Sequence, residues 1–336
     1  MNICQLLLST GEGGLEKHVR ELSISLNKAG HTVSVIADPQ FLDTLPEQIQ
    51  RFPVNARLSR NNPWLWLNVL YFIHRSHADI VHAQANKATA VLNKCRYFHS
   101  AKTVGTLHNI KSKVKDYAKL DQAIAVSHTL RSQLNTPNAV TVYNGISSPK
   151  VKKINLYEEF GLNPDLPTLC AVGRLVEAKG FDLLLEAIDG LHLNLLIIGE
   201  GKERHRLQKQ IQELSPDTHC RLTGYRPDVS SLMQSCDGVL ISSRREGFSY
   251  VCSEALLLNM PILSTDVPVA NEVLNKALIV PIADTKAFRR RLESLVQNPT
   301  YWQRLMQEAI VFAHESMTLE AMTENTLAVY QALTDA

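Results

Sequence analysis

The sequence predicts an α/β protein of two domains, each a doubly wound parallel sheet. Three observations predict it. Apolar runs of strand length alternate with helix-periodic stretches along the chain. The alternation breaks at a polar stretch after position 144 and restarts at 169. A chain of 336 residues is also too long for one ordinary core and suits two.

In the first half, residues 2–9 read as a strand, followed by Thr10-Gly11-Glu12-Gly13-Gly14. Residues 15–29 read as a helix with Leu15, Val19, Leu22 and Leu26 on one face, ended by Gly30. A strand over 31–37 completes a β–glycine loop–α–β unit, the start of a doubly wound sheet. Further strands are expected at 79–83, 103–108, 122–126 and 140–143, and an aromatic-rich apolar run, 61–73, reads as a core helix before the first of these. That run holds Trp64, Trp66, Tyr71 and Phe72, so an interfacial patch is the sharper alternative. Asn144-Gly145-Ile146-Ser147-Ser148-Pro149 reads as the exit from a first domain, 1–147, and 150–167 as a linker with a short helix.

The second half restarts with a strand at 169–172 and the loop Gly173-Arg174-Leu175-Val176-Glu177-Ala178-Lys179-Gly180. A helix at 181–191, a strand at 193–198 and Gly199-Glu200-Gly201 follow. Next come a helix at 204–214, a strand at 221–223 leading to Gly224-Tyr225-Arg226, a helix at 229–235 and a strand at 238–242. Glu246 sits in the loop after that strand, and Glu254 about one turn inside a helix over 251–258. A strand at 261–264, a short helix at 271–274, a strand at 278–280 and helices at 286–297, 301–314 and 319–333 close the chain.

Composition narrows the class. The apolar share of 45% and charged share of 20% are those of an ordinary soluble domain. Six cysteines are scattered singly, mostly inside apolar runs, which fits buried reduced thiols better than disulfides or zinc. Residues 1–10 lack a basic leader, and no apolar stretch nears the ~20 residues of a membrane span, so a cytosolic protein, free or resting on a membrane surface, is expected. Charge is uneven. Residues 1–150 hold 17 Lys and Arg against 9 Asp and Glu, a formal +8, and residues 151–336 hold 18 against 24, a formal −6. The basic half suits an anionic partner or membrane surface, or simply solvated faces of unequal sign. The basic run Lys111-Ser112-Lys113-Val114-Lys115 divides the same way between lipid phosphates, an anionic acceptor and a solvated loop.

Parallel sheets carry their sites at the carboxyl ends of strands. Gly13, Gly14, His82, His108, Asn109 and Ser127 fall there in the first half. The glycine loop is not G-x-G-x-x-G, and Asp38 is the only acidic residue near the end of the second strand, so a tight turn and close backbone approach to a phosphate or sugar remain equal readings. His82 and His108 at neighbouring strand ends would face the same opening, without metal-site spacing. In the second half, Arg174 and Lys179 suit a diphosphate, one as a fork and one as a point charge. Glu246 and Glu254 bracket a strand-to-helix turn. There Gly247 allows a tight turn and the amides of Phe248, Ser249 and Tyr250 are offered to an anion. With no D-x-D pair, neither a metal nor another cofactor is expected.

The order of Gly13-Gly14-Leu15-Glu16, Asp79-Ile80-Val81-His82-Ala83, Ala125-Val126-Ser127, Asn144-Gly145-Ile146, Gly173-Arg174-Leu175 with Lys179-Gly180-Phe181-Asp182, Gly199-Glu200-Gly201 and Glu246 with Glu254-Ala255 resembles the retaining family 4 glycosyltransferases. The resemblance covers nearly the whole chain. It implies a GT-B fold, two Rossmann-like domains facing across a cleft. The first would span 1–147, completed by a C-terminal helix at 319–336, and the second, which holds the nucleotide sugar, would span 148–318. It implies a donor diphosphate neutralised by Arg174 and Lys179, donor ribose held by Glu254 and donor-sugar hydroxyls held by Glu246. It also implies phosphate and sugar contacts from Phe248, Ser249 and Tyr250, a base near Tyr225, a wall at Gly13 and Gly14, and a sugar contact at His108.

The implied activity is retaining transfer from a nucleotide sugar, a UDP-sugar before GDP-mannose, to a glycan or lipid-linked acceptor of lipopolysaccharide or another surface polysaccharide. No nucleic-acid partner is expected. Three departures stand out: Ser147 where Asp is common, Gln84 where a second His is common, and Pro268-Val269-Ala270 in place of a glycine pair before Glu272. The alternatives are a nucleotide-sugar epimerase or phosphorylase of the same fold, the latter without its cofactor-lysine motif, and a two-domain ligand-binding protein without catalysis.

Overall fold

A computed structural model describes all residues except 12, 111–113, 149–150 and 336. Glu12 of the glycine loop, Lys111-Ser112-Lys113 of the basic run, and Pro149-Lys150 therefore lie outside the described residues. The chain divides into two units, Met1–Gly145 with Ser316–Ala336, and Ile146–Glu315.

The first unit runs β1 (Asn2–Leu7), α1 (Gly14–Lys28), β2 (Thr32–Ala37), α2 (Pro39–Leu42), β3 (Gln50–Pro53), α3 (Pro63–Arg75), β4 (Ile80–Gln84), α4 (Ala85–Cys95), β5 (Lys102–Leu107), β6 (Gln122–Ala125), α5 (His128–Leu134) and β7 (Ala139–Thr141). Its seven strands are parallel in the order β3-β2-β1-β4-β5-β6-β7. The order reverses between β1 and β4, where such sheets open a crevice at their carboxyl edge. The strands are nearly continuous apolar runs because helices cover both faces. α1 buries Val19, Leu22 and Leu26 completely, as its spacing requires, and buries Glu16 and His18 as well. Side chains start the helices: Asp38 accepts from the Gln40 amide, Asn62 from Trp64 with Pro63 in the first turn, and Ser127 from Leu130.

The second unit runs α6 (Leu156–Phe160), β8 (Thr168–Val172), α7 (Phe181–Ile188), β9 (Leu193–Ile198), α8 (Arg204–Gln212), β10 (Thr218–Gly224), α9 (Val229–Gln234), β11 (Gly238–Ile241), α10 (Tyr250–Leu257), β12 (Ile262–Thr265), α11 (Ala270–Val273), β13 (Ile279–Val280), α12 (Thr285–Val296) and α13 (Pro299–Ser316). Its sheet, also parallel, is ordered β10-β9-β8-β11-β12-β13, with the reversal between β8 and β11. Trp302 packs its ring where a Cβ on Gly238 would come within 2.8 Å, and its indole donates to the Ile262 carbonyl at 3.0 Å.

The last helix, α14 (Leu319–Thr334), belongs to the first unit, where Met322 and Tyr330 join the core cluster of Ile3, Leu7, Val19 and Leu22. Gly145 makes that docking possible. A Cβ there would sit 2.3 Å from the Thr318 carbonyl oxygen and 2.7 Å from Leu319 Cα. All six cysteines are buried and free. Among the described residues, no helix is long and apolar enough to cross a membrane.

Two local readings are corrected. The expected core helix at 61–73 is α3, but it is buried only along Leu65, Val69 and Ile73, while Trp64, Leu67 and Tyr71 are exposed on the opposite face. Gly247 is not among the glycines with positive φ; Gly173, Gly180, Gly199 and Gly224 are, at φ of 154°, 64°, 146° and 80°. The left-handed turns thus lie in the loops after β8, β9 and β10 rather than in the turn before α10.

Candidate active site

In the second unit, two loops at the sheet's reversal point hold each other. The loop after β8 ends in a 3₁₀ turn, Glu177–Lys179, closed by Gly180. The Ser242 hydroxyl donates to the Lys179 carbonyl at 2.9 Å, and the Arg244 amide to the Ala178 carbonyl at 2.8 Å. A Cβ on Gly180 would lie 2.1 Å from the Ser242 carbonyl oxygen, so the backbones meet only because that atom is missing. Gly199 and Gly201 allow similar approaches, to the carbonyl oxygens of Gly173 at 2.0 Å and Leu175 at 2.4 Å. Three strand-end loops are therefore in backbone contact.

This clasp brings the predicted charges together. Lys179 Nζ lies 2.5 Å from Glu246 Oε1, and the Ser243 hydroxyl donates to the same oxygen at 2.7 Å. The Glu246 side chain is 9% exposed and that of Lys179 21%, so the pair is sheltered yet reachable. Arg174 stands exposed on the same loop as Lys179, and among the described residues no ion pair or side-chain hydrogen bond ties it down. An ammonium already paired and a guanidinium left free give the loop a cationic surface on which a diphosphate can form charge-assisted bonds.

Below them, Arg244 grips Asp182 at the start of α7 with both nitrogens, at 2.7 and 3.0 Å, while Arg206 reaches the same carboxylate at 3.1 Å. Burial alone would raise the Asp182 carboxyl, yet Arg244 and then Arg206 bring it below its ordinary value. Arg226 grips Asp228 at 2.7 and 2.8 Å and also bonds Glu159, holding the loop on which Tyr225 stands 79% exposed.

α10 begins at Tyr250 with Ser249 as its preceding residue, but the Ser249 hydroxyl makes no capping bond. Both Ser249 Oγ and Ser253 Oγ are buried without a partner. Phe248 is buried and meets the Tyr250 ring edge-on at 5.1 Å, and Glu254 is half-buried one turn in. After β12, Val269 holds φ 74° and ψ −59°, a left-handed conformation unusual for a β-branched residue.

The first unit's strand ends are different in kind. Gly13 is exposed and extended, and a Cβ on it would meet nothing closer than Glu16 Oε2 at 3.7 Å. Nothing in the described structure requires glycine there, so its missing side chain leaves space open. Gly14 starts α1, and buried Glu16 accepts from the Ser9 hydroxyl at 2.5 Å.

His108 is buried, its Nε2 2.8 Å from Gln84 Oε1, and His18 meets its ring edge-on at 4.7 Å. His82 does not face an opening as its strand-end position predicts: Nδ1 lies 2.6 Å from the Tyr330 hydroxyl and Nε2 2.6 Å from Thr106 Oγ1. It is a satisfied core histidine. Burial keeps all three rings neutral, taking His18 to about 4, His82 to about 3 and His108 well below the ordinary value. Neither His18 ring nitrogen makes a well-aligned hydrogen bond, although Asn144, whose buried Oδ1 likewise lacks one, lies close enough to favour the charged ring and partly oppose the effect of burial.

Sequence reasoning missed Ser243 and His18; it named Asp182 and Gln84 without giving either a part in the site, and it did not pair Arg244 with Asp182. A signal existed for His18, which lies between Leu15, Val19 and Leu22 on the buried face of α1. Among the described residues no group of three or more His, Cys, Asp or Glu side chains is arranged to hold a metal ion.

Two family models match the chain in tandem. One described as Glycosyltransferase Family 4 covers residues 12–148, and one described as Glycosyl transferases group 1 covers residues 152–312. The chain is similar to an uncharacterized glycosyltransferase of Methanocaldococcus jannaschii, 27% identical over 223 residues, which are 64% of this chain and 60% of that protein. It is also similar to the lipopolysaccharide core biosynthesis glycosyltransferase LpsE of Rhizobium meliloti, 29% identical over 163 residues, 46% of this chain and 48% of the relative. The chain thus spans about half the length of the curated relatives it matches. Among solved structures, HepE of Anabaena in complex with UDP superposes with a TM-score of 0.84 at 19% identity, covering 99% of this chain and 100% of that one. That likeness carries the fold.

Proposed function

We propose a function from one premise: the chain belongs to the glycosyltransferases of GT-B fold, a family 4 domain followed by a group 1 domain. Its reaction is retaining transfer of a sugar from a nucleotide-sugar donor, a UDP-sugar before GDP-mannose, to a glycan or lipid-linked acceptor in surface-polysaccharide assembly. The observation that carries the reading is the sheltered Lys179–Glu246 pair beside the untethered Arg174, at the reversal point of the second sheet. The Anabaena structures with UDP and with UDP-glucose support the donor class, and the lipopolysaccharide-core role of LpsE supports the product class.

In this mechanism the acceptor oxygen bonds the donor sugar's anomeric carbon on the face from which the diphosphate oxygen departs. The acceptor proton passes to that departing oxygen. Arg174 and Lys179 neutralise the developing charge, and Lys179 exchanges part of its contact with Glu246 for phosphate oxygens. Glu246, oriented by Ser243, accepts from donor-sugar hydroxyls, and Glu254 from the ribose. The unpartnered Ser249 hydroxyl and the first amides of α10 bind phosphate or sugar oxygens, Phe248 and Tyr250 shape that turn, and Tyr225 borders the base. In the first unit, His108 takes a sugar hydroxyl, and Gly13 and Gly14 admit the sugar to the backbone. Neither metal nor cofactor takes part.

Labelled donors test the reading. Transfer of label from a UDP-sugar to a lipid-linked or oligosaccharide acceptor, unchanged by EDTA, is expected. Interconversion of the free nucleotide sugar, or binding without turnover, overturns it.

A membrane contact belongs to the same proposal. Trp64 and Tyr71, 69% and 55% exposed, share the outer face of α3 with Leu67. Tyr97 and Phe98 are exposed just past α4, whose Lys94 donates to the Arg60 carbonyl at the foot of α3. Arg75 and Arg96 lie over the Tyr71 and Tyr97 rings at 6.0 and 4.3 Å. Aromatic rings beside arginines suit the interface of an anionic bilayer. Flotation with phosphatidylglycerol vesicles, lost when Trp64 and Tyr71 are both changed to Ser, tests it.

A further inference from the structure

The first unit contains a row of buried polar side chains that neither its ladders nor its helix caps require. It runs from His108 through Gln84, Gln5 and Tyr330 to His82 and Thr106. Tyr330 stands on α14, 325 residues from Gln5, yet its hydroxyl is 3.2 Å from Gln5 Nε2. All six residues are at most 5% exposed. Burying so many polar groups is costly unless each finds a partner, and apolar side chains of the same volume would hold the strands as well. A row of this kind fixes something through its direction.

The direction follows from the bonds. Gln84 gives its amide hydrogen to Gln5 Oε1 at 2.8 Å, so the Gln84 oxygen faces His108 Nε2 and only accepts. Nε2 therefore carries the proton. His108 is neutral, because burial and then the neighbouring His18 and His82 hold its pKa well below the ordinary value. Its Nδ1 is thus bare. At the far end, the Tyr330 hydroxyl accepts from Gln5 and gives its own hydrogen to His82 Nδ1 at 2.6 Å, and His82 Nε2–H goes to Thr106 Oγ1 at 2.6 Å.

We infer that Tyr330 is a positioning residue: acting through Gln5 and Gln84, it holds His108 as the Nε2–H tautomer, so that Nδ1 accepts a hydrogen bond from a substrate hydroxyl. Only the identity of that hydroxyl rests on the glycosyl-transfer reading. The hydroxyl must donate, and a ligand presenting only acceptors gains nothing from His108. Gln84, which stands where a second histidine is common in the family, is an amide whose one oxygen and one nitrogen give the row its sense. An imidazole at that position would make the row's direction depend on its own tautomer.

The experiment is a two-bond ¹H–¹⁵N correlation of the imidazoles in the ¹⁵N-labelled full chain, with His108 assigned by H108Q. Wild type is expected to show Nε2 as the protonated, pyrrole-type nitrogen and Nδ1 as pyridine-type. Tyr330→Phe removes only the hydroxyl and Gln5→Met cuts the row midway while keeping the volume. Both are expected to move His108 toward a mixture of tautomers. With a labelled UDP-sugar, both are expected to lose roughly tenfold in kcat with donor KM within about twofold, as for an outer residue that orients a contacting one. A wild-type His108 protonated on Nδ1 overturns the inference. So does an unchanged His108 spectrum in either folded variant. A wild type that transfers no sugar at all sinks the functional reading instead, and the spectra still decide the tautomer.

Discussion

The carboxyl edges of the two sheets occupy the same topological place and are built from opposite materials. At the β8/β11 reversal the second unit gathers formal charge: Lys179 on Glu246, Arg244 and Arg206 on Asp182, and Arg174 left open. At the β1/β4 reversal the first unit gathers neutral polar groups, three uncharged histidines with two glutamines and a tyrosine. Glycines divide the same way. Gly180 is demanded by its neighbours, whereas Gly13 is demanded by none. The difference teaches that one fold supplies a place, not a chemistry. The charged edge suits an ionic ligand, and the neutral edge suits hydroxyl groups.

The largest expected effect breaks the charged edge. Lys179→Ala is expected to cut sugar transfer by about 100- to 1000-fold, the scale for losing one preorganised group that meets developing charge, while far-UV circular dichroism stays native. Glu246→Ala is expected to fall comparably, and near-normal rates in both would remove the site. Next, Gly180→Ala is expected to destabilise the second unit by about 3 kcal/mol or more, since it forces a left-handed non-glycine residue against the Ser242 carbonyl. Gly13→Ala is expected to stay within about 0.5 kcal/mol of wild type and yet lower transfer. Denaturant titration of the two variants measures that contrast.

The neutral edge has its own signature in pH. His18 and His82 titrate near their ordinary 6.5 when unfolded, but at about 4 and about 3 when folded. Above pH 6.5 both are neutral in either state and cost nothing. As pH falls from 6.5 toward 4 only the unfolded chain takes up protons. Stability is then lost at up to about 1.4 kcal/mol per pH unit for each histidine. Urea midpoints at pH 7 and pH 5 are expected to show this loss, reduced in His82→Asn, and a flat profile contradicts the neutral edge.

The smallest effect concerns Val269. Replacing a buried valine by glycine ordinarily costs several kcal/mol, but here it also removes left-handed strain of about 1–3 kcal/mol. Val269→Gly is therefore expected to cost at least about 1 kcal/mol less than Val239→Gly in β11, by the same titration.

Much of this was legible in the sequence, for physical reasons. β1, β2, β4 and β9 are buried on both faces, so they stand out as apolar runs, and their predicted limits fall within two residues of the observed ones. β3 was invisible: Gln50–Pro53 is a short, mostly exposed edge strand paired only with β2. The strand-end positions of Arg174, Lys179 and Glu246 followed from counting elements. Arg244–Asp182 did not, because it joins the loop after β11 to the first turn of α7, 62 residues away. His82 was misread because its partner Tyr330 lies 248 residues away, where no periodicity connects them. The outward aromatic face of α3 was half-read, as a run and not as a face.

The return of α14 to the first unit has a consequence for synthesis. Met322 and Tyr330 belong to the same buried cluster as Ile3 and Leu7. On a ribosome, the unit that emerges first therefore waits for residues that are synthesised only after the whole second unit. Until then β1 and α1 lack part of their cover, and the row from His108 to His82 lacks its middle member. The nascent chain should complete its charged edge before its neutral one, and a stalled chain ending before α14 is where chaperone binding to the first unit should be strongest.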